Sequence, residues 1–190
     1  MKKNPAITAQ TRQNLNDAFW ELYCTKRIEK ITIKEITTRA GYNRSTFYEY
    51  FTDVYDVLEQ LENHLIFKLQ EMPMQQLSSS SDPFQLDALV RLYSDHSGYL
   101  SVLLGDHGDP AFQRRIKASM KPMMKEALLA QGAKDGYELD YTLEYALSAM
   151  IGILSYWFNE DNPPSLEELT ALLGELSSSG VMGKLMGLRD

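Results

Sequence analysis

A chain of 190 residues, 44% of them hydrophobic, is long enough for one good core or for two small domains sharing one, and too apolar for a disordered segment. Its net charge of −7 fits poorly with an indiscriminate nucleic-acid binder, yet the charge is unevenly divided. Residues 1–53 hold nine Lys/Arg against six Asp/Glu and residues 54–190 hold ten against twenty, so a basic head with a local electrostatic footprint precedes an acidic body. The opening MKKNPAITAQTRQN has no apolar signal core, and secretion is not expected. Leu15, Ala18, Phe19 and Leu22 recur at helical spacing and predict a first helix. Cys24, the one cysteine, excludes an intrachain disulfide, and its place at this helix predicts a buried thiol in a reducing compartment.

Thr32 to Phe51 reads TIKEITTRAGYNRSTFYEYF. Thr32 and Glu35 make a capping box, Ile33, Ile36 and Ala40 supply a buried face, and Gly41 follows where a left-handed backbone ends the helix. Asn43 is a good N-cap for a next helix through Arg44, Ser45, Thr46, Phe47, Tyr48 and Tyr50, with Phe47 and Phe51 facing inward at i, i+4. Val54, Val57, Leu58, Leu61, Leu65 and Leu69 continue as an amphipathic helix that Met72-Pro73 ends. Gln75 to Pro83, with four consecutive serines, is a polar loop.

The body begins near Phe84. Leu86, Leu89, Val90 and Tyr93 form a helix that breaks around Ser97-Gly98, and a short helix to Leu104 follows. Asp109 as N-cap and Pro110 at the first helical position open a helix bearing Phe112, Ile116, Met120, Met123 and Ala127, which Pro122 should kink. A helix from about Leu139 to Asn159 carries Leu143, Ala146, Leu147, Met150, Ile151, Leu154, Trp157 and Phe158, and Asn162-Pro163-Pro164 stops it. Its most apolar run, Tyr145 to Phe158, is broken by serines and shorter than the roughly 20 residues a membrane helix needs. Ser165 and Glu168 form a second capping box, and Leu166, Leu169, Leu172, Leu173 and Leu176 line the last long helix. The pattern is all-α throughout.

A globular helix has no ordinary reason to expose Tyr42, Tyr48 and Tyr50 beside Arg44, Ser45 and Thr46. DNA uses Tyr and Thr hydroxyls on phosphates and Arg on guanine edges. Arg44 is the first candidate for base readout, with Lys34 at the preceding helix start, while Thr46, Tyr48 and Tyr50 position the backbone. Ser148, Gly152 and Ser155 make a small-residue stripe that permits close helix approach, from within the chain or from a second copy. Asp95-His96 and Asp106-His107-x-Asp109 lack i, i+4 pairing and cysteines, so turn capping explains them better than a metal. No phosphate-binding glycine loop, HExxH or nucleophile elbow is present, so neither an enzyme nor a cofactor is expected.

Through Arg39-Ala40-Gly41 and Thr46-Phe47-Tyr48-Glu49-Tyr50-Phe51 the chain resembles the TetR-type transcriptional regulators. The resemblance covers the first quarter closely and the remainder in architecture. It implies a helix-turn-helix head over 1–53, with Thr32, Lys34, Tyr42, Asn43, Arg44, Ser45, Thr46, Tyr48 and Tyr50 at double-stranded DNA, and a helical regulatory and dimerisation body over 54–190. One departure is Val54, where family members carry a Lys that meets a DNA phosphate. The resemblance further implies a homodimer built by the last two long helices, through Ser148, Gly152, Ser155, Trp157, Leu169, Leu172, Leu173 and Leu176. It also implies an apolar or amphipathic small ligand among Phe84, Tyr93, Tyr99, Phe112, Met120, Met123, Met124 and Tyr145.

The expected function is a cytoplasmic, ligand-responsive repressor on a palindromic operator, with no membrane contact. Two rivals remain. One is a dimeric accessory protein whose head contacts a protein partner; the other is a DNA-binding activator or structural protein without inducer.

Overall fold

The computed structural model describes residues 5–71, 98–105 and 108–187, and every element of secondary structure among them is helical. In chain order these are α1 (Pro5–Tyr23), a 3-10 turn (Ile28–Lys30), α2 (Ile33–Ala40), α3 (Arg44–Tyr48) and α4 (Val54–Gln70). The helical stretch 98–104, here α5, precedes α6 (Pro110–Ala130), α7 (Tyr137–Asn159) and α8 (Leu166–Gly187). The expected serine loop, the helix after Phe84 and the residues Asp95, His96, Asp106 and His107 lie outside the described residues.

The chain divides into two compact units, Met1–Phe67 and Lys68–Asp190. The first unit thus extends past Asp53, and α4 adds Val54, Val57, Leu58 and Leu65 to its buried side chains. From α1 come Leu15, Ala18, Phe19, Leu22 and Tyr23, all buried at helical spacing. Cys24 is exposed, contrary to the sequence reading, because α1 ends at Tyr23 and the cysteine already belongs to the following turn.

In the second unit α7 is the central element and uses its two halves differently. Leu143 and Leu147 pack with Met124 of α6, joined by Met120, Leu128 and Leu139. Further along, Trp157 packs with Leu169 and Leu173 of α8, joined by Ile153, Leu154, Phe158 and Leu166. Trp157 Nε1 also donates to the Pro164 carbonyl at 2.7 Å, tying the end of α7 to the loop that turns into α8. A row of ion pairs flanks the α6–α7 contact: Lys117 and Lys121 reach Glu144 at 2.5 and 3.0 Å, and Lys125 reaches Asp135 and Asp140 at 2.8 and 2.9 Å. Asp109 caps α6 by accepting from the Ala111 N–H, Pro110 stands in its first turn, and the helix continues through Pro122. Ser165 and Glu168 close the capping box expected at α8. The backbone of α8 leaves helical geometry at Gly180 (φ 71°).

Candidate nucleic-acid interface

The two short helices of the head are specified almost entirely by their ends. Thr32 and Glu35 form the reciprocal capping box, the Glu35 N–H donating to Thr32 Oγ1 at 3.3 Å and the Thr32 N–H to Glu35 Oε2 at 3.0 Å. The Thr32 hydroxyl also donates to Glu35 at 2.9 Å, so it is committed to the box. Lys26 reaches the same carboxylate at 2.6 Å. These donors, Lys26 first and then the Thr32 hydroxyl and N–H, hold the Glu35 carboxyl down to about 2.

At the other end Gly41 adopts φ 77°, and its N–H and that of Tyr42 return to the Thr38 and Thr37 carbonyls. This is the Schellman pattern, and a Cβ would strain the left-handed residue it requires.

Asn43 then starts α3. Its Oδ1 accepts the Thr46 N–H at 2.9 Å and also the hydroxyls of Ser45 and Thr46, at 2.6 and 3.0 Å. Phe47 and Phe51 are fully buried, as their spacing predicts. The helix is shorter than expected, ending at Tyr48, so that Tyr50 lies in the turn after it. A five-residue helix cannot support itself. Its geometry comes from the Asn43 cap and from the anchorage of Phe47 and Phe51.

What this leaves outward is Lys34, Asn43, Arg44, Ser45 and Tyr48, all exposed, with Thr46, Tyr42 and Tyr50 half-buried. No ion pair among the described residues holds Lys34 or Arg44, whereas Arg39 pairs with Glu21 at 3.4 Å. Tyr48 is 59% exposed with its ring edge-on to Phe47, and Tyr50 leans on Phe51. The tyrosines therefore pack their rings on the core's edge and keep their hydroxyl ends near solvent.

The start of α4 differs from the expectation that the family sets. Val54 is only 8% exposed and belongs to the core. The Thr52 N–H donates to Asp56 Oδ2 and the Asp56 N–H to Asp53 Oδ1, both at 2.8 Å. Gln60 bridges Asp56 to Arg12. The Asp56 carboxyl is held below its usual range, chiefly by the Thr52 N–H. The N–H groups of Thr52 and Asp56 are thus satisfied by carboxylates within the chain, and no lysine stands at the start of this helix.

The residues expected at a dimer contact and at a ligand are scattered by the second unit. Trp157, Leu169 and Leu173 are buried in a cluster of the chain's own side chains. Ser155 likewise faces inward, donating to the Leu104 carbonyl at 2.7 Å at the end of α5. Ser148 and Leu172 stay exposed, Leu176 is half-buried, and a Cβ on Gly152 would meet nothing within 4 Å. The outer face of α7 also carries Tyr137, Tyr141, Tyr145 and Tyr156, each more than 60% exposed. Sequence reasoning missed this row, although the i, i+4, i+8 spacing of Tyr137, Tyr141 and Tyr145 was there to be read. Tyr145, expected among the ligand residues, is thus exposed on this row. Of those, Phe112 and Met124 are buried, Met120 packs on the α6–α7 cluster, Tyr99 and Met123 are half-buried, and Phe84 and Tyr93 lie outside the described residues.

Residues 84–179 match the family model of a TetR-type transcriptional regulator C-terminal region. The chain belongs to the TetR-type transcriptional regulators, whose helix-turn-helix head the first unit supplies. Among solved structures it is similar to a TetR transcriptional regulator from Streptococcus agalactiae 2603V, at 20% identity and TM-score 0.64, over 88% of this chain and 96% of that one. It is also similar to the fatty acid degradation regulator FadR from Bacillus halodurans, at 16% identity and TM-score 0.69, over 95% and 98%. A third likeness is to the dihydroxyacetone kinase operon activator DhaS, at 18% identity and TM-score 0.58, over 87% and 93%. These likenesses establish the shared all-helical fold. No curated protein matches the chain. Among the described residues no helix is long and apolar enough to cross a membrane.

Proposed function

We propose that the protein is a ligand-responsive repressor that binds a palindromic DNA operator as a homodimer in the cytoplasm. The observation that carries this reading is the division of α3. Phe47 is sealed in the core, Asn43 fixes the helix start, and Arg44 and Tyr48 stand exposed beside each other's turn. Arg44 reads a base edge, while Tyr42, Tyr48 and Tyr50 hold phosphates. Two such heads seated about 34 to 36 Å apart meet successive major-groove faces of a palindrome.

The second copy docks on the outer face of α7 around Tyr141, Tyr145, Ser148, Gly152 and Tyr156, and on Leu172 of α8. Exposed aromatic side chains flanking a glycine with open space above it support this placement. An apolar or amphipathic effector binds in the body and lowers DNA affinity by a coupling of about 1 to 3 kcal/mol. The fold shared with a fatty acid degradation regulator supports that class of effector. The fold shared with an operon activator supports a second reading, in which the bound head raises transcription.

Selection of duplexes from a random DNA pool tests operator binding and its symmetry together. Arg44→Ala is expected to weaken the selected duplexes by about 1 to 3 kcal/mol per half-site and to relax preference at one base position, whereas Tyr48→Phe weakens all sequences alike. Failure of the wild-type chain to enrich any duplex overturns the reading. For the dimer, Gly152→Arg is expected to give monomers by sedimentation without unfolding the body, since the site is open within the chain. An intact dimer would move the contact elsewhere.

A further inference from the structure

Tyr42 is fixed from two sides. Its N–H donates to the Thr37 carbonyl at 2.9 Å, which sets its backbone. Asn14 of α1 donates from Nδ2 to its hydroxyl at 3.0 Å, across 28 residues of sequence, which sets its ring. Gln10 Nε2 donates in turn to Asn14 Oδ1 at 2.8 Å. The three side chains form a relay from the surface of α1 to the turn that leads into α3. What the Asn14 amide gives the ring is a direction for its hydroxyl.

That direction has a chemical meaning. A phenol has one proton to give and lone pairs to accept with, and a phosphate oxygen only accepts. With Asn14 donating to the tyrosine oxygen, the Tyr42 proton is left for an acceptor outside the head. Resting on the DNA-binding reading above, we propose that Asn14 is a positioning residue, which holds the Tyr42 hydroxyl with its proton outward for a DNA phosphate. Turning over the amides of Asn14 and Gln10 would commit that proton to Asn14 and present DNA with lone pairs alone. The proposal therefore has a polarity as well as a place.

A double-mutant cycle on the full-length chain tests it, using duplexes that the wild-type chain enriches from a random pool. Tyr42→Phe should weaken every enriched duplex by about tenfold, as loss of one hydrogen bond to a charged group does. Asn14→Leu, which frees the hydroxyl, and Asn14→Asp, which can only accept and so reverses the polarity, should each weaken binding in the wild-type background. Asn14→Leu should have no further effect in the Y42F chain. Asn14→Asp should retain there only the general repulsion of an added negative charge. Fluorescence melts of the same variants in a W157F background, where Trp20 is the one tryptophan, establish that each head is folded. Should an Asn14 variant fail to fold, duplexes with single methylphosphonate links decide instead, since one neutralised phosphate should cost the wild type about tenfold more than it costs the Y42F chain. Equal losses from Asn14 substitution in both backgrounds, no loss from Y42F, or methylphosphonate effects that Y42F leaves unchanged each overturn the proposal. An empty selection removes the DNA-binding reading and this inference with it, whereas enriched duplexes without coupling remove this inference alone.

Discussion

The head and the body bury apolar side chains in the same manner but use their polar ones differently. In the head, Thr32, Glu35, Asn43, Asp53 and Asp56 all bond to backbone N–H groups at the starts of helices. In the body the most conspicuous polar feature is the row of lysines along α6 paired with carboxylates at and before α7, each partner at least a quarter exposed. A cap satisfies a donor that would otherwise lack a partner and contributes about 0.5 to 2 kcal/mol, whereas an exposed ion pair contributes about 0 to 1 kcal/mol. The head's short helices are thus placed by their ends. The body's long helices are placed by the Met124, Leu143 and Leu147 cluster, and the lysines only trim the fit.

The largest effects should come from the two cores. Phe47→Ala, at a side chain with no exposed surface, is expected to cost about 3 to 5 kcal/mol, and Leu147→Ala, 1% exposed, about 2 to 5. The chain's two tryptophans fall one in each unit, Trp20 in the head and Trp157 in the body, so single-tryptophan variants report the units separately in urea. Phe47→Ala should lower the Trp20 midpoint and Leu147→Ala the Trp157 midpoint. If either substitution moves both midpoints equally, the units unfold together and the contrast between them has no thermodynamic content.

The same contrast decides what the sequence could tell. The capping boxes at Thr32 and Ser165, the Gly41 turn, the Asn43 cap and the Asp109-Pro110 start of α6 all depend on neighbours a few residues apart, and each was legible. Inward placement of Phe47 and Phe51 followed from their spacing. The rest depended on partners distant in sequence. Spacing along α7 does not reveal that Pro164, Leu169 and Leu173 cover Trp157, or that Ser155 bonds to the end of α5. Cys24 lay one residue beyond a helix end that periodicity alone could not fix. Of the candidate DNA contacts, nothing local foretold that Asn14 would reach Tyr42 across 28 residues, whereas the caps that Asp53 and Asp56 make at the start of α4 are local and could have been read.

A smaller effect should be matched between the units, because both carry the same local motif. Thr32→Ala and Ser165→Ala each remove the hydroxyl of a capping box, and each should cost about 1 kcal/mol. Thermal melts of the two single-tryptophan chains would show it as a shift confined to the unit that carries the substitution. A much larger loss at Thr32 would mean that the head's box also supports contacts beyond its own helix.

The smallest effects are electrostatic, and acid should separate them. Glu35 has its carboxyl lowered from an ordinary 4.5 to about 2, first by Lys26 and then by the Thr32 hydroxyl and N–H. Glu144 is also lowered, first by Lys117 and then by Lys121. In both cases the folded pKa lies below the unfolded one, so the stabilisation is complete above the ordinary carboxylate range and is lost as pH falls through the folded value. For Glu35 that loss spans about 4.5 to about 2. Glu35→Gln should therefore flatten the acid limb of the Trp20 melt, and Glu144→Gln that of the Trp157 melt. Salt should then divide them. The Glu144 carboxylate is held by two lysines in the open, and screening at about 1 M salt, where the Debye length is about 3 Å, should erase most of its share. Glu35 keeps its bonds to the uncharged donors of Thr32 when Lys26 is screened, so part of its acid limb should persist. If salt abolishes both limbs alike, the cap at Thr32 adds nothing beyond its charge pair, and head and body differ in sequence pattern but not in the physics that holds them.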